Sequence, residues 1–161
     1  MVFPILADII AEETNGTYTF EHEDRYGYNS LILKKDGRIV MYDLCPRPIK
    51  ETFRMNMENF HGDVLICGAG IGFCIFPIKD ETRITSITVI EQSQEIIDML
   101  SPYLPEVKFI KADALSYIPE RLYNTIFLDI WESCTPSIQG VEERRYREYL
   151  TPDGFINYLD F

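Results

Sequence analysis

The sequence predicts an α/β fold in which a mostly parallel sheet is covered by flanking helices. An apolar run at 63–67 breaks into three glycines at alternate positions, Gly68, Gly70 and Gly72. This pattern is typical of a strand buried on both faces that ends in a ligand-binding loop. Strand-like and helix-like segments then alternate along the rest of the chain. The 161 residues, 46% of them hydrophobic, have the length of one domain.

The first third of the chain predicts a small antiparallel region. Residues 1–11 are apolar but contain Asp8 and lack a basic leader, so we expect a core-packing helix in a cytoplasmic protein without a membrane segment. A β-hairpin is expected at 29–43, because the Lys35-Asp36-Gly37 segment contains the Asp-Gly pair that favours tight turns. A helix from Pro48 to Phe60 should lead into the central strand.

Four further strands are expected after the glycine loop. They lie at 86–90, 107–111, 124–131 and 155–159. Helical segments are expected at 93–104, around Ala114 to Ile118 and near 140–150, and one beginning near Phe73 should be short or kinked because of Pro77. We assign 1–60 to the helix, hairpin and linking helix and 61–161 to the cofactor-binding domain, together one compact unit. The sheet is expected to be truncated after its fifth strand, which leaves an edge open to self-association as a homo-oligomer or to cover by the amino-terminal segment.

Composition narrows the function classes. The net charge of −11 disfavours a nucleic-acid binder and suits a cationic small molecule. Three arginines lie among glutamates on a predicted helix, which indicates a mutually paired, solvated face: Arg144, Arg145 and Arg147 among Glu142, Glu143 and Glu148. Four scattered cysteines and two histidines show no disulfide framework, no metal-site spacing and no basis for a Ser-His-Asp triad.

Acidic residues follow three successive strands. Glu91 lies 23 residues after Gly68, near the interval at which a carboxylate reaches the ribose of a nucleotide bound to the first strand. Asp113 and Asp129 follow the next two strands, so all three acids should face one crevice. The loop has Phe73 where the dinucleotide fingerprint requires glycine, and it lacks the Lys-Ser/Thr ending of a phosphate-binding P-loop.

These features resemble the S-adenosylmethionine-dependent methyltransferases of the Rossmann-like class, and within that class the spermidine-synthase-like branch. The resemblance covers about residues 28–161 and includes the Leu150-Thr-Pro-Asp-Gly-Phe155 turn before the last strand. It implies a Rossmann-like fold and S-adenosylmethionine, or its decarboxylated form, as the cofactor. The implied cofactor-binding residues are Gly68, Ala69, Gly70, Gly72, Glu91, Asp113, Ala114 and Asp129. The hairpin departs from the aminopropyltransferases, because Val40 and Met41 stand where those enzymes place a glutamine.

Asp129 is the catalytic candidate: resemblance to aminopropyltransferases implies a base or an anchor for an amine, whereas in many methyltransferases the equivalent position only contacts the cofactor or the substrate. Trp131 and Glu132 are substrate-side candidates, and the Trp131 ring suits either a bound cation or core packing. The leading hypothesis is methyl transfer to a small molecule. Two alternatives stay open: an aminopropyltransferase that uses decarboxylated S-adenosylmethionine, and a noncatalytic nucleotide-binding or assembly module.

Overall fold

The computed structural model describes residues 4–25, 28–42, 57–130 and 136–158. The strands are β1 (Glu13–Thr14), β2 (Tyr18–Arg25), β3 (Tyr28–Lys35), β4 (Arg38–Tyr42), β5 (Gly62–Cys67), β6 (Ile84–Glu91), β7 (Lys108–Lys111), β8 (Tyr123–Leu128) and β9 (Leu150–Tyr158). The α-helices are α1 (Gln94–Leu100) and α2 (Pro136–Arg147), and short 3₁₀ helices span Leu6–Asp8 and Ser101–Tyr103.

The larger sheet is parallel throughout and has the order β7-β6-β5-β8-β9. The glycine-loop strand β5 lies at its centre, paired with β6 on one side and β8 on the other. The chain builds outward from β5 to β7 and then crosses back to β8, so the strand order reverses beside β5. A reversal of this kind opens a crevice at the carboxyl ends of the strands. The predicted α/β fold with a parallel sheet and an antiparallel region before it is therefore confirmed.

The smaller sheet is antiparallel, with the order β1-β2-β3-β4. Its predicted hairpin is present, and Asp36 and Gly37 turn the chain with φ values of 49° and 74°. The expected opening helix is reduced to the Leu6–Asp8 turn, although Leu6 is buried as a core residue. The linking helix expected from Pro48 falls largely outside the described residues, which resume at Met57.

Two segments expected to be helical are turns instead. From Gly70 to Asp80 the chain forms consecutive turns, because Pro77 has no N–H to donate to the Phe73 carbonyl and a helix cannot propagate through it. The stretch from Ala114 to Ile118 contains a single turn at 114–116, and Pro119 has no N–H to donate to the Leu115 carbonyl as a helix would require.

The other elements lie close to their expected positions. The Ser93 hydroxyl caps α1 by accepting a hydrogen bond from the Ile96 N–H. The last strand begins at Leu150, five residues earlier than expected. Its register against β8 shifts so that Leu150 pairs with Tyr123 and Phe155 pairs with Thr125, which makes the intervening residues a bulge.

The two faces of the parallel sheet carry separate apolar layers. One layer joins the sheet to the antiparallel sheet, the glycine loop and α1, and it includes Phe20, Leu31, Ile66, Val89 and Phe127. The other layer packs against α2 and includes Leu65, Ile126 and Tyr146. Within the described part of the chain, no helix is both long and apolar enough to cross a bilayer.

Candidate functional site

The glycine loop brings the carboxyl ends of three strands into direct contact. The Gly68 N–H donates to the Ile90 carbonyl at 2.8 Å, and the Asp129 N–H donates to the Cys67 carbonyl at 2.8 Å. Gly68 has a φ of 95°, and a Cβ at this position would lie 2.0 Å from the Asp129 carbonyl oxygen. Only glycine allows this backbone approach, because any side chain would push the loop away from the end of β8.

Glu91 ties the loop to the start of α1. The side chain is 7% exposed, and its Oε2 accepts a hydrogen bond from the Ala69 N–H at 2.9 Å. Its Oε1 accepts a second bond from the Ser93 N–H at 2.8 Å. The structure therefore brings Glu91 to the glycine loop, as its spacing from Gly68 predicts. Because each carboxylate oxygen has a second acceptor position, both keep capacity for a further donor.

Asp129 follows β8 and is half-buried at the same edge of the sheet. Burial is the largest cause that raises the pKa of its carboxyl to about 6, and the nearby charge of Glu91 acts in the same direction. One interaction opposes this shift: the Cys74 thiol donates to Oδ2 with an Sγ–Oδ2 distance of 3.7 Å. Asp129 is consequently a carboxylate that can gain a proton close to neutral pH.

Asp113 and Ala114 lie beyond β7, in the turn that follows it. The Ala112 N–H donates to the Glu91 carbonyl at 3.1 Å, which keeps this turn beside the end of β6. Asp113 is exposed, and its Oδ1 accepts from the Leu115 N–H at 2.8 Å. The Ala114 carbonyl accepts from the Tyr146 hydroxyl at 2.8 Å. Both residues therefore stabilise the turn, and their contact with an adenine stays a prediction.

Two residues that sequence reasoning did not assign to the site contact the loop or Asp129. Met41 reaches from β4 to the loop, where its Sδ lies 2.6 Å from the position that a Cβ of Gly70 would take. Cys74 is 4% exposed and contacts Asp129. The only sequence signal for Met41 is its place after the Asp-Gly turn. For Cys74 there is no such signal, since it contacts Asp129 through tertiary packing.

The arginines of α2 include one that docks the helix. Arg145 is half-buried and pairs with Glu142 at 2.8 Å, as expected of a mutually paired face. It also donates to the carbonyls of Ala114 and, at 3.2 Å, Tyr117. The exposed Arg147 pairs with Glu143 within the helix. Arg145 thus fastens α2 to the turn after β7, whereas Arg147 has the solvated role that the sequence predicts.

The substrate-side candidates Trp131 and Glu132 lie outside the described residues. A surface depression is lined by Pro4, Ile9 and residues of the turn after the loop, and its lining includes none of the three acids. The candidate site is therefore the carboxyl edge of the parallel sheet, where the charge of Glu91 contributes to the raised pKa of Asp129.

No protein-family model and no curated protein sequence matches the chain. Solved structures do match it. The DhpI–SAH complex is 22% identical with a TM-score of 0.53, over 65% of this chain and 52% of that one. The glycopeptide N-methyltransferase MtfA complexed with (S)-adenosyl-L-methionine is 20% identical with a TM-score of 0.54, over 67% and 51%. The N-methyltransferase NodS from Bradyrhizobium japonicum WM9, in complex with S-adenosyl-L-homocysteine (SAH), is 15% identical with a TM-score of 0.53, over 68% and 58%.

The likeness extends over the Rossmann-like fold that these methyltransferases share with the chain. The chain spans about half the length of these structures.

Proposed function

We propose that the chain binds S-adenosylmethionine at the carboxyl edge of its parallel sheet and transfers the methyl group to a small-molecule acceptor. One observation carries the proposal: the buried Glu91 carboxylate is hydrogen-bonded to the glycine loop, beside Asp129. A glycine loop with an acid at the end of the next strand is an arrangement that suits a bound nucleoside. The complexes of MtfA with S-adenosylmethionine and of NodS with S-adenosyl-L-homocysteine support this choice of cofactor.

The residues at this edge fit the cofactor. Each Glu91 oxygen already accepts one backbone N–H and has a free acceptor position for a ribose hydroxyl. Gly70 has a φ of 52°, which glycine adopts readily, and the Met41 side chain fills the space that a Cβ would take. The loop residues Gly68, Ala69, Gly70 and Gly72 would hold the methionine part. Asp113 and Ala114 are proposed for the adenine side.

The chemistry needs an aligned nucleophile and, for a protonated acceptor, a base. S-adenosylmethionine supplies a methyl group already activated on a sulfonium. Asp129 would accept the proton that an amine acceptor loses as its nitrogen forms the new N–C bond, while the S–C bond to the methyl group breaks and S-adenosylhomocysteine leaves. Burial raises the pKa of Asp129 to about 6, so the group is ionised at neutral pH yet basic enough to take a proton. We propose Trp131 and Glu132, which follow Asp129 closely in the chain, for the acceptor side.

Calorimetry with S-adenosylmethionine, its decarboxylated form and S-adenosylhomocysteine tests the cofactor. We expect S-adenosylmethionine to bind, and Glu91→Ala to weaken its binding by about 1–3 kcal/mol through lost hydrogen bonds to the ribose. Glu120→Ala, at an exposed glutamate in the connection before β8, is the matched control and should bind as the wild type does. Circular dichroism of both variants checks that the fold persists.

Four results would change the conclusion. Failure of all three ligands to bind refutes the cofactor, and unchanged affinity in Glu91→Ala refutes the ribose contact. Preference for the decarboxylated form indicates aminopropyl transfer. Binding without turnover across a panel of amines indicates the noncatalytic module.

A further inference from the structure

We propose that Cys74 is a positioning residue for Asp129, and that its thiol orients the Asp129 carboxylate as the proton acceptor by donating a hydrogen bond to Oδ2. The contact itself is an observation of the fold, with Sγ 3.7 Å from Oδ2. The role of this contact in methyl transfer rests on the proposed function. Neither the glycine-loop pattern nor the strand-end acids assign a role to this cysteine.

The backbone holds both partners in place. Cys74 lies within a turn in which the N–H groups of Ile75 and Phe76 both donate to the Gly72 carbonyl, at 2.8 and 3.1 Å. The thiol is 4% exposed and belongs to the apolar layer on this face of the sheet. On the other side, the Asp129 N–H is bound to the Cys67 carbonyl. With both backbones fixed, the thiol–carboxylate contact determines which way the Asp129 oxygens face.

A weak neutral donor suits this task better than a cation does. A neighbouring lysine or arginine would hold Asp129 ionised and make it a poor base. The thiol lowers the pKa of Asp129 only in part, against burial and the charge of Glu91, and the balance leaves the pKa at about 6. Among the described residues, Cys74 from the loop and Glu91 from β6 are the titratable groups that act on Asp129.

The buried position also excludes a nucleophilic role for this cysteine. At 4% exposure, the Cys74 sulfur has little access to solvent or to an acceptor molecule. An S–H group remains available as a donor in such a setting. Cys74 therefore acts through Asp129 and forms no bond to the transferred group.

Nuclear magnetic resonance titration of the ¹³C-labelled Asp129 carboxyl, assigned with Asp129→Asn, measures this contact directly. Cys74→Ala removes the donor, and we expect it to raise the apparent pKa of Asp129 by about 0.5 unit. Cys74→Ser keeps a hydroxyl donor and should return the pKa to the wild-type value or below. Cys67→Ala, which deletes a buried thiol from the opposite apolar layer, should leave it unchanged.

An unchanged pKa in folded Cys74→Ala overturns the inference. If that variant does not fold, Cys74→Val keeps the volume, removes the donor and carries the same expectation. The titration detects the Cys74–Asp129 hydrogen bond whether or not the chain transfers a methyl group. A negative result in the cofactor assay is therefore distinguishable from the absence of this hydrogen bond. In the active enzyme, the acid limb of the pH dependence of kcat should move to higher pH in Cys74→Ala by the same shift as the pKa. An acid limb at the wild-type pH would overturn the role of Cys74 in methyl transfer.

Discussion

Replacing Asp129 with asparagine should make the protein more stable at alkaline pH and leave its stability unchanged at acid pH. Burial raises the pKa of this carboxyl from 3.8 to about 6 in the folded state. The folded protein therefore holds the proton more tightly than the unfolded chain does, and stability is fully present below pH 3.8 and is lost as the pH rises through 6. A shift of about two units corresponds to a loss of up to about 3 kcal/mol at pH 8. Asparagine carries no charge and escapes this loss.

Urea unfolding of wild type and Asp129→Asn at several pH values from 4 to 8 measures the effect. The two curves should nearly coincide at pH 4, separate between pH 4 and pH 6, and keep a constant separation above about pH 7, with the variant more stable. Asp153→Asn is the control of opposite sign, because the Thr151 hydroxyl lowers the pKa of Asp153 and its ionised form is favoured in the fold. A wild-type-to-variant difference that is the same at pH 4 and pH 8 would refute the reasoning.

Two pairs of substitutions test the contacts around the site by urea unfolding. Gly68→Ala should lower the free energy of unfolding by more than about 3 kcal/mol, because its Cβ would lie 2.0 Å from a backbone oxygen. Gly37→Ala, with a φ of 74° and open space around it, should lower it by about 1–2 kcal/mol. Equal losses would contradict the close backbone approach at Gly68. Arg145→Ala should lower the free energy of unfolding by about 1–3 kcal/mol, because the carbonyls that Arg145 binds lose their donor. Arg147→Ala should lower it by less than about 0.5 kcal/mol. A larger loss for Arg147→Ala than for Arg145→Ala would argue against docking of the helix by Arg145.

The parallel sheet was predictable because its central strands are buried on both faces. Such strands favour apolar residues on both faces, and short apolar runs mark the buried ends of β5 (64–67), β6 (89–90) and β8 (126–128). The hairpin was predictable for a local reason, since Asp36 and Gly37 tolerate positive φ. Both signals lie within a few residues of chain and need no knowledge of packing.

The helix expected from Phe73 and the one expected from Ala114 are absent, and one cause explains both. Pro77 and Pro119 lie four and five residues after the first residue of their segments, and neither has an N–H to donate the hydrogen bond that would continue a helix. The positions of Pro77 and Pro119 carry more weight than the apolar pattern around them.

The candidate site was predictable only where its parts are related by chain spacing. The position of Glu91 relative to Gly68 places it against the loop, because one strand and its connection separate them. Met41 and Cys74 contact the site through the packing of the small sheet and of the turn after the loop. No spacing rule encodes such contacts, because they depend on how distant segments fold against each other.

The apolar layer shared by the two sheets bears on how the protein folds. Phe20 and Leu31 from the antiparallel sheet are buried in the same cluster as Ile66 and Phe127 from the parallel sheet. Neither sheet can separate without exposing the other's side chains to water, so the two should gain and lose structure in one cooperative transition. An insertion or deletion in the amino-terminal third would then lower the stability of the glycine loop as well, although no residue of the loop had changed.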